Sequence, residues 1–125
     1  MKHLLLVGLG GFCGSVLRYG VGLWVATWKL QFPLATLLVN LLGCFCIGIL
    51  GALIEKKLGI SQELRLLLIT GFLGGFTTFS AFGLDALSLL REGKIAPALL
   101  YIGLNVFGGL LLVWLGFVLV RPKVL

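Results

Sequence analysis

Acid is what this chain has least of. Four of its 125 residues are Asp or Glu, only 11% are charged at all, and no carboxylate occurs before Glu55. No pair of carboxylates falls inside the long apolar runs, so general acid/base chemistry of the two-carboxylate kind has no residues to use. Histidine is limited to His3 at the N-terminus. The three cysteines, Cys13, Cys44 and Cys46, all stand in apolar runs, and Cys44 and Cys46 are two apart, which on a helix puts them on different faces. Neither a disulfide nor a metal site follows, and small buried apolar side chains are the expectation. There is no phosphate loop and no Gly-x-Ser-x-Gly. The glycines of Gly8, Gly10, Gly11 and Gly14 follow no strand and lie in an apolar segment, so they are not a nucleotide fingerprint. Gly10-x-x-x-Gly14 is instead the spacing of close helix packing in a membrane. These absences leave no support for an enzyme.

What is present is hydrocarbon. Hydrophobic residues make up 60% of the chain, and its charges cluster between apolar runs. At about 1.5 Å of rise per residue and about 20 residues per crossing, four spans fit, near 4–28, 34–54, 66–90 and 95–120. The chain reads as one all-α integral membrane domain over residues 1–125. Its first run is too long for a signal-peptide core and contains Arg18, so it reads as a retained span. A net charge of +6 would point to nucleic acid in a soluble chain. Here Lys2, Lys29, Lys56, Lys57, Arg65, Arg91, Lys94, Arg121 and Lys123 sit at span ends, where basic residues anchor to the lipid interface, so no nucleic acid is expected. Lys2, Lys56, Lys57, Arg65, Arg121 and Lys123 share one side, against Lys29, Arg91 and Lys94 on the other. That bias favours termini inside, but it is shallow enough to leave insertion in both orientations open.

The third run carries the chemistry. Residues 71–83 read Gly-Phe-Leu-Gly-Gly-Phe-Thr-Thr-Phe-Ser-Ala-Phe-Gly, a poor helix in lipid. Backbone groups released from a helix in hydrocarbon cost several kcal/mol each, so such a centre predicts a broken helix that lines a cavity or holds an ion.

Few polar groups stand inside the spans, and each needs a reason. Arg18, near the middle of the first span, either lures anions in a water-filled vestibule or clamps helix ends. Asn40 offers two N–H donors, for an ion or for an interhelical hydrogen bond. Thr36 lies one turn earlier on the same face. Phe79 and Phe82 share a face if helix resumes after the break; phenylalanine pairs commonly pack a core, yet ring edges are positive and receive an anion without a full countercharge. With Thr77, Thr78 and Ser80 they make a weakly polar lining suited to anions, whereas a cation path calls for carboxylates or stacked carbonyls. Asp85 is the one acid in the interior half of a span, two turns beyond the break and towards a mouth.

Three motifs together resemble a known family. Gly10-Gly11-x-x-Gly14 with Arg18-Tyr19, Pro33 to Asn40 with Gly43, and Gly71-x-x-Gly74-Gly75-x-Thr77-Thr78-Phe79-Ser80-x-Phe82 are similar to the small fluoride channels called CrcB or Fluc. The similarity covers nearly the whole chain. It implies an antiparallel, dual-topology homodimer of inverted copies in a prokaryotic plasma or inner membrane, passively exporting fluoride from the cytoplasm to lower its toxicity. It implies a structural sodium ion at the dimer centre, held by backbone carbonyls of Gly74 and Thr77 from each copy. Carried over by position, Asn40 is a pore donor, Phe79 and Phe82 are the aromatic fluoride-box residues, Thr36, Ser80 and Tyr101 are pore-lining groups, and Arg18 and Asp85 stand at the vestibules. The chain departs from the family at Ala81, where threonine is common, at Asp85, where glutamate is usual, and at Asn105, where a serine often stands.

Two other transporters fit part of this pattern. A dual-topology multidrug exporter has four short spans but requires a carboxylate in the first, and none is there. A proton-coupled fluoride antiporter requires a titrating acid near the midplane, for which Asp85 is the only candidate.

Overall fold

The computed structural model describes residues 1–56 and 59–120; Lys57, Arg121 and Lys123 of the basic set lie outside them. Four helices are long and apolar enough to cross a membrane: α1 (Lys2–Ala26), α2 (Leu34–Glu55), α3 (Gln62–Arg91) and α4 (Ile95–Val120). The first begins and ends two residues earlier than the sequence suggests, because Thr27 to Lys29 turn off the helix: the Thr27 hydroxyl bonds back to the Trp24 carbonyl at 2.6 Å, and Lys29 takes a left-handed φ of 51°. The third begins earlier, where Ser61 caps it by accepting the Leu64 N–H at 3.2 Å. It ends in a Schellman turn, with Gly93 at φ 74° and the amides of Gly93 and Lys94 bonded to the Leu90 and Leu89 carbonyls at 3.0 and 2.9 Å.

Glycine decides which helices touch. A Cβ added to Gly10 would lie 2.8 Å from the Phe72 nitrogen and nearer still to the Leu67 carbonyl oxygen; one on Gly14 would lie 2.8 Å from the Phe76 nitrogen and nearer still to the Phe72 oxygen. Gly71 and Gly75 return the contact to the backbone of Val7, Gly10 and Gly11. The first half of α3 and α1 therefore meet backbone to backbone. A second seam joins α2 to the C-terminal half of α4, where Gly48 faces the Val113 carbonyl and Gly116 the Phe45 carbonyl. Small residues permit this closeness, and dispersion between near backbones replaces the hydrophobic drive that lipid removes.

A small side-chain core closes the remaining corner. Leu37, Phe82, Ala86, Leu89, Ala98 and Tyr101 are buried together there, with Phe32, Leu34, Leu41 and Ile102 packed around them. Most large apolar side chains elsewhere are exposed, as a lipid-facing surface requires. Two stretches, Leu66–Leu73 of α3 and Leu104–Gly108 of α4, are wound as π-helix, with hydrogen bonds reaching five residues back.

Candidate functional site

The break in α3 is two residues long. Helix persists through Gly71, Gly74 and Gly75 to Phe76, stops at Thr77 (φ −88°, ψ 160°) and Thr78 (φ −155°, ψ 114°), and resumes as Phe79–Arg91. The glycines from Gly71 to Gly75 are helical, and Gly71 and Gly75 pack against α1. Only the two threonines are extended, and extended backbone suits β-branched residues.

The amides of Thr77, Thr78 and Ala81 keep or find a partner at the break. The Thr77 N–H and hydroxyl both donate to the Leu73 carbonyl at 2.9 Å. The Thr78 N–H, which a continuing helix would give to the Gly74 carbonyl, goes to Asn40 Oδ1 at 2.8 Å. Asn40 Nδ2 donates to the Thr78 carbonyl at 3.1 Å, so one amide side chain holds both faces of one residue's backbone. The Thr78 hydroxyl caps the second half of α3, accepting the Ala81 N–H at 3.2 Å and lying 3.2 Å from the Ser80 hydroxyl. Gly43 admits Thr77 beneath Asn40, since a Cβ there would fall inside the Thr77 methyl.

The carbonyls of Gly74 and Thr77 thus lose their helical donors: the amide four residues after the first goes to Asn40, and the amide four residues after the second goes to the Thr78 hydroxyl. Gly74 is exposed. Both residues line a cavity of about 520 Å³ whose wall also includes Asn40, Thr78, Phe79 and Asn105. Such oxygens suit a hard cation of low charge. No cluster of three His, Cys, Asp or Glu side chains occurs among the described residues.

On the other side of Thr78 lies a cavity of about 410 Å³ lined by Ser15, Arg18, Thr36 and Ala81. Arg18 is half-buried and makes no hydrogen bond or ion pair among the described residues. An unpaired guanidinium in a cavity that also holds hydroxyls can take an anion as its partner. A third, more open hollow of about 360 Å³ holds Asp85, Ser88, Gln31 and Lys94. There Lys94 pairs with Glu92 at 2.8 Å and donates to Gln31 at 3.3 Å.

The aromatic residues divide. Phe79 is 81% exposed, Phe82 is buried, and their ring centres lie 5.3 Å apart at 49°. Phe82 in turn packs 5.6 Å from Tyr101, which also meets Phe32 edge-on. Tyr101, read as pore-lining, is fully buried, and its hydroxyl donates to Asp85 at 3.0 Å. Thr36 lines the Arg18 cavity, while Ser80 is exposed with its hydroxyl beside that of Thr78. The structure therefore gathers Asn40, Thr77, Thr78, Ser80, Phe79 and Phe82 at the break; Arg18 and Thr36 line one cavity beside it, and Tyr101 is bonded to Asp85.

Sequence reasoning did not connect Asn105 with Asn40. Asn40 Nδ2 also donates to Asn105 Oδ1 at 3.1 Å, and Asn105 Nδ2 donates to the Tyr101 carbonyl at 3.0 Å. The available signal was that the chain's only two asparagines both lie within spans, where amides seek one another.

Comparison with known proteins agrees in extent and kind. The family described as CrcB-like protein, Camphor Resistance (CrcB), matches residues 5–117. A protein of Rhizobium meliloti (strain 1021) named fluoride-specific ion channel FluC is 51% identical, covering 99% of this chain and all of the relative. Proteins of the same name from Methylobacillus flagellatus and Stutzerimonas stutzeri are 49% and 52% identical over 97% and 92% of this chain, and 96% and 94% of their own lengths.

Proposed function

The chain belongs to the CrcB family of multi-pass membrane proteins, and we propose that it is a fluoride-selective channel that lets fluoride leave the cytoplasm passively. The observation that carries this reading is the junction itself: a break in α3 surrounded by donors without fixed charge, stabilised by Asn40 and flanked by an unpaired Arg18. Fluoride is small and strongly hydrated, so its path must replace water with donors that do not trap it. Hydroxyls, amide N–H groups and ring edges meet that need, while a lysine or arginine at the narrowest point would bind and hold.

The ion collects beside Arg18 and Thr36, then passes the Thr78 and Ser80 hydroxyls to the edges of Phe79 and Phe82. Asn40 serves as a pore donor when an arriving anion takes over one of its Nδ2 hydrogens. Asp85, bonded to Tyr101, lines the hollow at Lys94.

A single copy leaves Phe79 and Gly74 facing outward. A second, inverted copy of this chain covers them in our reading, giving a dual-topology homodimer. The carbonyls of Gly74 and Thr77 from both copies then hold a structural sodium ion, which supplies a fixed positive charge where two backbone breaks meet. The exposure of Gly74 and the lost helical donors of both carbonyls support this assignment.

Fluoride efflux from liposomes containing only the purified chain tests the function. We expect fluoride release with chloride retained; comparable chloride flux would sink the reading. Release that requires an opposing proton gradient would point to the antiporter, with Asp85 as its titrating acid.

A further inference from the structure

We infer that Asn105 is a positioning residue that keeps the Asn40 amide aimed at the α3 junction, an inference that rests on the channel reading above. The path runs in one direction through four groups. The Tyr101 carbonyl accepts Asn105 Nδ2 at 3.0 Å, which fixes the Asn105 amide so that its oxygen faces Asn40. That oxygen accepts Asn40 Nδ2 at 3.1 Å, while Asn40 Oδ1 takes the Thr78 N–H and the same Nδ2 serves the Thr78 carbonyl. Both hydrogens of Nδ2 are therefore occupied, one by the junction and one by Asn105.

Asn105 is placed there by an irregular backbone. It lies in the π-wound stretch Leu104–Gly108, and its side chain bonds the carbonyl of Tyr101, four residues back, in the manner of polar residues that cap their own helix from within. The same residue lines the cavity shared with Asn40, Thr77, Thr78 and Phe79. Asn105 Oδ1 thus stands as a placeholder acceptor. Between ions it satisfies a donor that would otherwise be left bare inside the membrane, and it yields that hydrogen when an anion arrives. Asn105 also joins α4 to the α2–α3 junction, so the aim of Asn40 depends on a third helix.

The test compares Asn105→Leu, which keeps bulk and removes both bonds, with Asn105→Ser, whose hydroxyl accepts one hydrogen and donates another. Full-length protein is purified and read in two ways: fluoride efflux from liposomes, and deuterium exchange at the Thr78 amide relative to amides of α1. Asn105→Leu is expected to lower flux about tenfold and to speed Thr78 exchange by a similar factor, the scale of one lost hydrogen bond, while Asn105→Ser recovers most of both. If Asn105→Leu does not insert, Asn105→Ala takes its place with the same expectations. Unchanged Thr78 exchange in Asn105→Leu or Asn105→Ala overturns the inference, and so does a serine variant as impaired as either in both readouts. Wild-type protein that releases no fluoride defeats the channel reading instead, and the exchange measurement then decides the positioning role by itself.

Discussion

The two halves of α3 meet the membrane's demand for satisfied backbone in opposite ways. From Leu66 to Phe76 the helix keeps its own hydrogen bonds and presents Gly71 and Gly75 to the glycines of α1, so contact is steric and nearly free of polar side chains. At Thr77 and Thr78 the helix gives up its bonds, and side chains replace them: Asn40 from α2, the Thr78 hydroxyl, and Asn105 from α4 through Asn40. The seam cannot yield because backbone meets backbone. The junction can exchange partners because every substitute bond is made by a side-chain amide or hydroxyl. A rigid seam holding one end of a replaceable set of bonds is the arrangement an ion path requires, and the two regions should respond to mutation in different currencies, stability for one and flux for the other.

The largest effect belongs to the seam. Gly14→Ala places a Cβ against the Phe72 carbonyl and 2.8 Å from the Phe76 nitrogen, and neither atom can rotate away. Loss of about 3 kcal/mol is expected, with Gly10→Ala similar, read as reversible unfolding in mixed micelles. Whatever protein remains folded should conduct normally per molecule. Retained stability with lost flux would erase the distinction between the two regions.

Next comes the junction. Asn40→Asp still accepts the Thr78 N–H, but it turns a carboxylate oxygen towards the Thr78 carbonyl and Asn105 Oδ1, both acceptors. Fluoride flux should vanish while stability falls by about 2 kcal/mol, less than at Gly14, because the cost is lost hydrogen bonding and not a steric clash. Efflux and unfolding measured on one preparation separate the two. Normal conduction in this variant would reduce Asn40 to a packing residue.

How much of this was readable in advance follows from range. The spans announce themselves because apolar length is a local property, and Gly10-x-x-x-Gly14 announces a packing face for the same reason. Glycine in residues 71–83 locates the broken stretch but not its exact residues, since it signals both a weak helix and a close approach; only the neighbour, α1, decides between them, and that neighbour is not in the local sequence. The clamp was out of reach because Asn40 and Thr78 lie 38 residues apart and Asn40 and Asn105 65 apart. The resemblance implies Tyr101 as a lining group, whereas its burial against Phe82 and Phe32 and its bond to Asp85 depend on residues distant in sequence.

The phenylalanines sharpen the comparison within the second half of α3. Phe79→Ile should leave stability unchanged, since the ring is largely exposed within one copy, whereas Phe82→Ile should cost about 1 kcal/mol through its contacts with Tyr101. Both should reduce fluoride flux, because an isoleucine keeps bulk but has no positive edge. A large stability loss at Phe79 without loss of conduction would make it a packing residue only and remove it from the ion path.

The smallest effect is expected two residues from one of the largest. Gly8 and Gly10 stand on the same helix and carry the same substitution, yet nothing lies within 4 Å of a Cβ at Gly8, while a Cβ at Gly10 meets the backbone of α3. Two residues are about 200° around a helix, so Gly8 points away from the seam. Gly8→Ala should therefore stay within about 1 kcal/mol of wild type, with a slight gain permitted by the lower conformational freedom of alanine in the unfolded chain. The pair is a control for the argument about the seam, because glycine content and depth on α1 are nearly the same and only the facing surface differs. Parallel unfolding curves of Gly8→Ala and Gly10→Ala check it. Equal losses at the two positions would mean either that α1 is intolerant of alanine anywhere, which ends the case for a specific seam, or that a second copy covers the Gly8 face. Dilution decides between those, since only a face covered by a partner loses stability as protein concentration falls.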